Sequence, residues 1–172
     1  MKTLTNLIFL ITVSIFLLTS CENNETSEKQ FSLTGKLISN SDCKNLKSAN
    51  EADYTPDSLS CIDYSFDSKN NILTIQHVNA GFNCCPDSLY CNATLKNDTI
   101  IVQEFETGGL CNCNCLYDLQ IELNGVDSKK YQVKFIEPYA GENKEILFEM
   151  DLENTNEGNY CVIRKQYPWG MQ

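Results

Sequence analysis

The chain is poor in positive charge: 13 Lys and Arg stand against 23 Asp and Glu, for a net charge of −10. No basic run occurs, which excludes the electrostatic footprint of a nucleic-acid binder and disfavours anionic lipid headgroups. There is a single histidine, His77, so any imidazole chemistry rests on that residue alone. No window sustains a 3.6-residue apolar period over ten residues, which argues against a helical fold. The chain holds ten cysteines yet no C-x-x-C, so the paired zinc knuckle and the thioredoxin motif are both missing. The acids of "DYTPDS" and "DSKNN" lack the ordered ligand spacing of a calcium loop and read as solvated turns. The longest apolar run, Leu7–Leu18, is too short for a secure membrane span.

That run, preceded by Lys2 and followed by "LTSC" (Leu18–Cys21), has the length and flanks of a secretory signal. Its end resembles the bacterial lipobox, in which the cysteine is acylated and becomes the first mature residue. The expected organisation is a signal peptide over 1–20, lipidated Cys21 with a flexible acidic tether over 21–30, and one β domain over 31–172. Two or three acyl chains would hold the protein firmly on a membrane, at about 0.8 kcal/mol per buried methylene. Residues 1–20 carry one Lys and no acid. The remaining 152 residues therefore carry 12 bases against 23 acids, a charge of −11. Glu22 follows Cys21 where the enteric inner-membrane retention signal has Asp. The acids after Cys21 resemble the surface-export signals of Bacteroidota lipoproteins. The resemblance implies an outer-membrane lipoprotein, with exposure on the outer face as its further implication.

Beyond the tether, alternation with period two dominates. "FSLTGKL", "CIDYSF", "NILTIQHV", "DTIIVQEF", "YQVKF", "EILFEMDL" and "NYCVIRKQY" read as short strands between Asn, Asp and Gly turns. With "CNCNCLYDLQIEL" they predict an all-β domain, an antiparallel β-sandwich or partly closed barrel of about eight strands stapled by disulfides. In that last segment Cys111, Cys113, Cys115, Tyr117, Leu119, Ile121 and Leu123 share one face, and Asn112, Asn114, Asp118, Gln120 and Glu122 the other. Thirteen extended residues would span about 40 Å, beyond ordinary strand length, so the cysteine end is expected to leave the sheet as a rim. Gly108-Gly109 predicts a tight hairpin that sets Glu106 opposite Cys111, Glu104 opposite Cys113 and Val102 opposite Cys115.

An exported chain meets an oxidising compartment. Cys84, Cys85 and Cys91 are expected to pair with Cys111, Cys113 and Cys115, and Cys43 with Cys61 across the long loop. Cys161 is then left unpaired. Nine cysteines after Cys21 admit many other connectivities. A different chemistry would place Cys84, Cys85, Cys111, Cys113, Cys115 and His77 around Zn or Cu(I), which suit soft thiolates but require reduced thiols outside the cytoplasm. Glu104 and Glu106 beside the cysteines would raise thiol pKa values, which opposes a reactive thiolate. A Cys84 or Cys85 pair with His77 can be drawn, but no catalytic residue is assigned.

"YPWG" groups Tyr167 and Trp169, which either plug the open end of a sandwich or stack on a ligand. "DSL", "DSL" and "DTI" resemble the Bacteroidota O-glycosylation pattern, with Ser58, Ser88 and Thr99 as acceptors. The blocks "HVNAGFNCCPD", "CNCNCLYDL", "FIEPY" and "RKQYPWG" together resemble a group of uncharacterised Bacteroidota lipoproteins over roughly residues 60 to 170. The resemblance implies an exported lipoprotein with a compact β domain and transfers no activity. The expected function is a lipid-anchored envelope module that binds or supports, with a thiolate metal protein as the alternative and an enzyme third. The expected partners are the membrane, through the anchor, and an envelope protein or extracellular ligand. No nucleic acid and no cofactor is expected, and nothing in the sequence specifies an oligomer.

Overall fold

The computed structural model describes residues 32–44, 55–109 and 111–169. All of them belong to one compact unit, Phe31–Gln172. The signal peptide, Cys21 and the acidic tether lie outside the described residues.

Among the described residues nine strands form two sheets: β1 (Thr34–Asn40), β2 (Leu59–Asp67), β3 (Ile72–Asn83), β4 (Ser88–Lys96), β5 (Thr99–Thr107), β6 (Asn114–Asn124), β7 (Lys130–Ile136), β8 (Leu147–Asp151) and β9 (Glu157–Ile163). One sheet has the order β1-β6-β3-β2-β9 and the other β4-β5-β7-β8. Neither closes on itself, so the architecture is a sandwich. β4, "SLYCNATLK", is the strand that the alternation pattern does not announce. Among the described residues no helix is long and apolar enough to cross a membrane.

The Gly108-Gly109 hairpin does not form. β5 pairs with β4 and β7, and β6 pairs with β1 and β3 in the other sheet. Only Gly108 has a positive φ, 96°, and the chain at this point packs against Asp87. The tight two-residue turn is instead Asn97-Asp98, with φ of 48° and 58°, which closes β4 onto β5. Because β6 crosses to the opposite sheet before the chain returns, β7 lies parallel to β5, the one parallel pair in an otherwise antiparallel fold.

Between the sheets sit the inward stripes. β6 supplies Cys115, Tyr117, Leu119, Ile121 and Leu123, all buried, in the single phase that the sequence predicts. β3 opposes it with Leu73, Ile75 and His77, then Ala80 and Phe82. The jump from 77 to 80 is a β-bulge: His77 pairs with Leu119 and Ala80 with Tyr117, leaving Val78 and Asn79 opposite Asp118. Asn79 has a positive φ of 61°, which Asn tolerates better than other side-chain-bearing residues. Its backbone N–H donates to Asp118 Oδ1 (3.0 Å) and its amide to the Leu59 carbonyl (2.8 Å), while Oδ1 accepts from Lys44 Nζ (2.8 Å).

β3 also outruns β2, whose register with it ends at Cys61 opposite Val78. Trp169 packs at this free stretch. Its indole N–H donates to the Asn79 carbonyl at 2.7 Å, and it is fully buried. The sandwich-plug expectation therefore holds for Trp169, while Tyr167 remains exposed. Gly81 is required beneath the ring: a Cβ there would stand 2.5 Å from two indole carbons.

The bridges are Cys43–Cys115, Cys61–Cys161, Cys84–Cys113 and Cys85–Cys111, and Cys91 is a buried free thiol. Cys84 and Cys85 do reach into the Cys111 group. Three expectations are corrected. Cys43 bonds Cys115 rather than Cys61, because β1 pairs with β6 and two strands separate it from β2. Cys161 is not free: it lies directly opposite Cys61 in the β2–β9 register, Cα atoms 4.1 Å apart. Cys91 is the odd one out, since it turns into the apolar core from β4 and faces Glu104 instead of the rim.

Two outcomes follow from this packing. Denatured but unreduced mature protein should take up iodoacetamide at Cys91, read by peptide mapping; an adduct at Cys161 would refute the pairing. Gly81→Ala should cost about 1–3 kcal/mol by overpacking and Trp169→Ala about 3–5 kcal/mol in urea unfolding. In the Trp169→Ala background the Gly81→Ala cost should vanish, since the clash has no second partner.

Candidate functional site

Two places gather chemistry. The first is buried. Ser60 from β2, His77 from β3 and Glu104 from β5 meet Glu137, which follows β7, and Arg164, which follows β9. Each sits in phase with apolar neighbours: Ser60 with Ile62, His77 with Ile75, Glu104 with Val102, Arg164 with Val162. His77 Nδ1 lies 2.7 Å from Glu104 Oε1, and Nε2 lies 2.9 Å from Ser60 Oγ and 3.8 Å from Glu137 Oε1. Arg164 Nη2 donates to both Glu137 oxygens at 2.6 Å and to Ser60 Oγ at 3.3 Å. The guanidinium also stacks on Trp169, 4.8 Å from the ring centre. Among the described residues, Glu104 Oε2 and Arg164 Nε have no hydrogen-bond partner.

Burial works against a charged His77 ring, but the Glu104 carboxylate, its hydrogen bond and Glu137 outweigh it and raise the imidazole pKa. Glu104 is pushed up by the same burial, against the pull of His77. The pair thus retains one shared proton to higher pH than a free imidazole would. Burial, with Glu104 adding to it, pushes the neighbouring Cys91 thiol up to about 12. That thiol is inert.

The order Ser60–His77–Glu104 is that of nucleophile, base and orienting acid. What it lacks is access: Ser60 and His77 are 0% exposed, Arg164 1% and Glu104 3%. No substrate carbonyl reaches Ser60 Oγ unless the sheets part. The arrangement as it stands is a hydrogen-bonded lock between sheets.

The second place is the rim where β3 ends and β6 begins. Cys84 and Cys85 are tied to Cys113 and Cys111, and the Cys84 N–H donates to the Cys113 carbonyl at 3.1 Å. Asn83, 4% exposed, is the centre of this region. Its amide donates to the Cys111 carbonyl (2.7 Å), and its Oδ1 accepts from the N–H groups of Cys111 and Cys85, both at 3.0 Å. Its own N–H donates to Glu106 Oε2 at 2.8 Å, and its carbonyl accepts from Tyr117 Oη at 3.1 Å. Tyr139 donates to the other Glu106 oxygen, which with burial holds its phenol pKa up to about 12. Asn83, Asn112, Asn114, Tyr139, Tyr167 and the bridged Cys111 and Cys113 line an open pocket of about 300 Å³.

A larger cleft of about 450 Å³ lies along β1, β6, β3 and β2, lined by hydroxyls and amides such as Ser65, Thr74, Gln76 and Gln120. Tyr64, which also lines it, packs its ring against Phe148 in the interior. No disulfide lines this cleft.

The thiolate cage is overturned. Cys84, Cys85, Cys111, Cys113 and Cys115 are all oxidised in bridges, and His77 lies in the core beside Glu104, not among them. Glu104 and Glu106 face Cys91 and Leu89 across β4, not Cys113 and Cys111. Among the acid-rich turns, Asp67 is engaged by the N–H groups of Lys69 and Asn70 and by the Asn70 amide. Of the glycosylation candidates, Ser88 is exposed, whereas Ser58 and Thr99 are half-buried. Sequence reasoning missed Ser60, Glu137 and Arg164 and passed over the burial of Glu104. The signal was there for all four: a polar residue continuing an apolar stripe at period two, as Glu137 does after Tyr131, Val133 and Phe135. No family model, curated protein or solved structure matches the chain.

The shared proton has a measurable consequence. The folded His77–Glu104 pair keeps a proton that the unfolded imidazole releases near 6.5, so the stability it contributes is full below about 6.5 and is lost as pH rises toward the raised folded value. The free energy of unfolding should fall as pH rises above about 6.5, with a slope up to about 1.4 kcal/mol per pH unit, read by urea unfolding across a pH series. In Glu104→Gln the main cause of the rise is gone and the slope should flatten. A wild-type profile that rises over this range would contradict the assignment.

Proposed function

We propose that this protein is a lipid-anchored binding module of the cell envelope, held by acylated Cys21 on the outer membrane. Its working end is the cystine-locked rim of the sandwich. One observation carries the reading: two adjacent disulfides and the buried Asn83 amide fix a loop pair around a pocket whose walls are tyrosine and asparagine. Cross-linked loops with aromatic and amide linings are how a small domain keeps a recognition surface in one conformation. Eight of the nine cysteines after Cys21 sit in bridges, which accords with export to an oxidising compartment. The lipobox and acidic tether support the anchor and let the domain stand off the bilayer.

A second reading, a metal-binding envelope protein, is favoured by one cluster. His77, Glu104 and Glu137 each offer a ligand atom, all within 4.8 Å of one another, and nitrogen with carboxylate oxygen suits Zn or Mn. It ranks lower because an ion there would displace the His77–Glu104 proton and face the Arg164 guanidinium on Glu137.

Two measurements test these readings. Cys21→Ser should abolish palmitate incorporation and release the protein from the membrane pellet; retention there would overturn the anchor. Thermal-shift screening of the mature domain against soluble saccharides and extended peptides should yield a hit that is lost once both rim disulfides are replaced by Ala pairs in otherwise folded protein. Stoichiometric metal that disappears in His77→Gln, with no saccharide or peptide hit, would instead favour the second reading.

A further inference from the structure

Building on the binding-module reading, we propose that the rim pocket takes a neutral saccharide ring, with Tyr139 and Tyr167 as its apolar walls and the Asn112 and Asn114 amides as its hydroxyl readers. None of the described residues that line it carries a charge. Glu106, which bonds two of the lining residues, has both oxygens committed, one to the Tyr139 hydroxyl and one to the Asn83 N–H. An ionised ligand would give up its hydration here with no counter-charge to replace it. Charged peptides, nucleotides and acidic sugars are thereby disfavoured.

What the pocket leaves unused is specific. Both tyrosine hydroxyls are spent on the protein: Tyr139 on Glu106, and Tyr167 on Asn114, whose N–H it accepts at 2.7 Å and whose carbonyl it bonds in turn. The rings are therefore held by their hydroxyl ends, and ring carbon is what remains for a ligand. Tyr167 is 42% exposed, so it holds this surface open to solvent. Within the described residues the side-chain amides of Asn112 and Asn114 form no hydrogen bond, and each offers a donor and an acceptor. A pyranose has this complement: an apolar C–H face for an aromatic ring, and hydroxyls that donate and accept at its edge. The volume of about 300 Å³ is at the small end for ligand sites, which fits one or two rings of a chain. Asn83 is not counted among the ligand readers, because its Nδ2 and Oδ1 already bond the two cystine loops.

Isothermal titration of the mature domain separates the possibilities. The probes are chitobiose, cellobiose and maltotriose as neutral saccharides, sialyllactose as an acidic one, and a set of neutral and charged heptapeptides. The expected result is binding of at least one neutral saccharide, weakened about tenfold or more by Tyr167→Ala and by Asn112→Ala. Tyr167→Phe, which keeps the ring, should stay within about threefold of wild type, and sialyllactose should bind more weakly than its neutral counterparts. Gln76→Ala, in the outer cleft, should leave binding unchanged. If Tyr167→Phe loses as much as Tyr167→Ala, or if Gln76→Ala abolishes binding while Tyr167→Ala does not, the pocket assignment is wrong. Peptide binding that is lost in Tyr167→Ala, with no saccharide binding, overturns the ligand class and leaves the binding module standing. Silence from every probe counts against both. Peptide maps that retain all four bridges in each variant guard against misfolding as the cause of a loss.

Discussion

Much of this structure hangs on the parity of one strand. Side chains alternate along a β-strand, so one extra residue reverses the face that every later residue takes. β3 must turn Leu73, Ile75 and His77 inward and then, past Asn79, also Ala80 and Phe82. The bulge at Val78-Asn79 resets the phase. Without it Ala80 and Phe82 would point outward, and Gly81 and Asn83 would enter the core. Because the phase is reset, Gly81 presents a bare backbone to Trp169, and Asn83 aims its amide at Cys85 and Cys111. The C-terminal plug and the rim pocket are thus both consequences of one inserted residue.

The buried polar lock sits immediately before that bulge and draws on five strands or their ends. Burying two carboxylates, a guanidinium and an imidazole is costly, and apolar residues of equal volume would often serve stability as well. What the lock supplies is register. Its formal charges cancel, whether the shared proton lies on His77 or Glu104, and each group is paired by a residue from a different strand. A one-residue slip of any contributing strand would carry its polar group to the opposite face and strand the others as unpaired charges in the core. In a sandwich with many similar short strands, such selectivity separates the native pairing from its near neighbours.

The class of fold was legible from alternation alone, and so was the single phase of Cys115 through Leu123. Strand β4 was not, because "SLYCNATLK" lies at a sheet edge with Tyr90, Asn92 and Thr94 facing out, and its apolar share is small. The mistaken hairpin shows the limit of turn chemistry. Gly108-Gly109 permits a tight turn, but the bridges from Cys111 and Cys113 to the end of β3 fix the chain in the other sheet, and covalent geometry outweighs local propensity. Disulfide partners depended on strand order, which spacing does not encode. Cys61 and Cys161 are 100 residues apart and meet because β2 and β9 are neighbours. Asn83 is an ordinary letter in the sequence; it becomes informative only when tertiary structure shows what its few polar atoms hold.

The two rim bridges are better explained by local rigidity than by global stability. Entropic stabilisation by a cross-link grows with the loop it closes. The Cys43–Cys115 and Cys61–Cys161 bridges, with separations of 72 and 100 residues, restrict most of the domain between them. Cys84–Cys113, with a separation of 29, already brings the β3 end to the β6 start. Once it is closed, Cys85–Cys111 ties residues that are only a short step from the first bridge on either side, and it restricts little further unfolded chain. What it removes is the freedom of the loop to rotate about a single cystine. A loop pinned twice, with an asparagine buried between the pins, holds its tyrosines and amides in place before a ligand arrives, and the ordering cost that a mobile loop would charge against binding is largely absent.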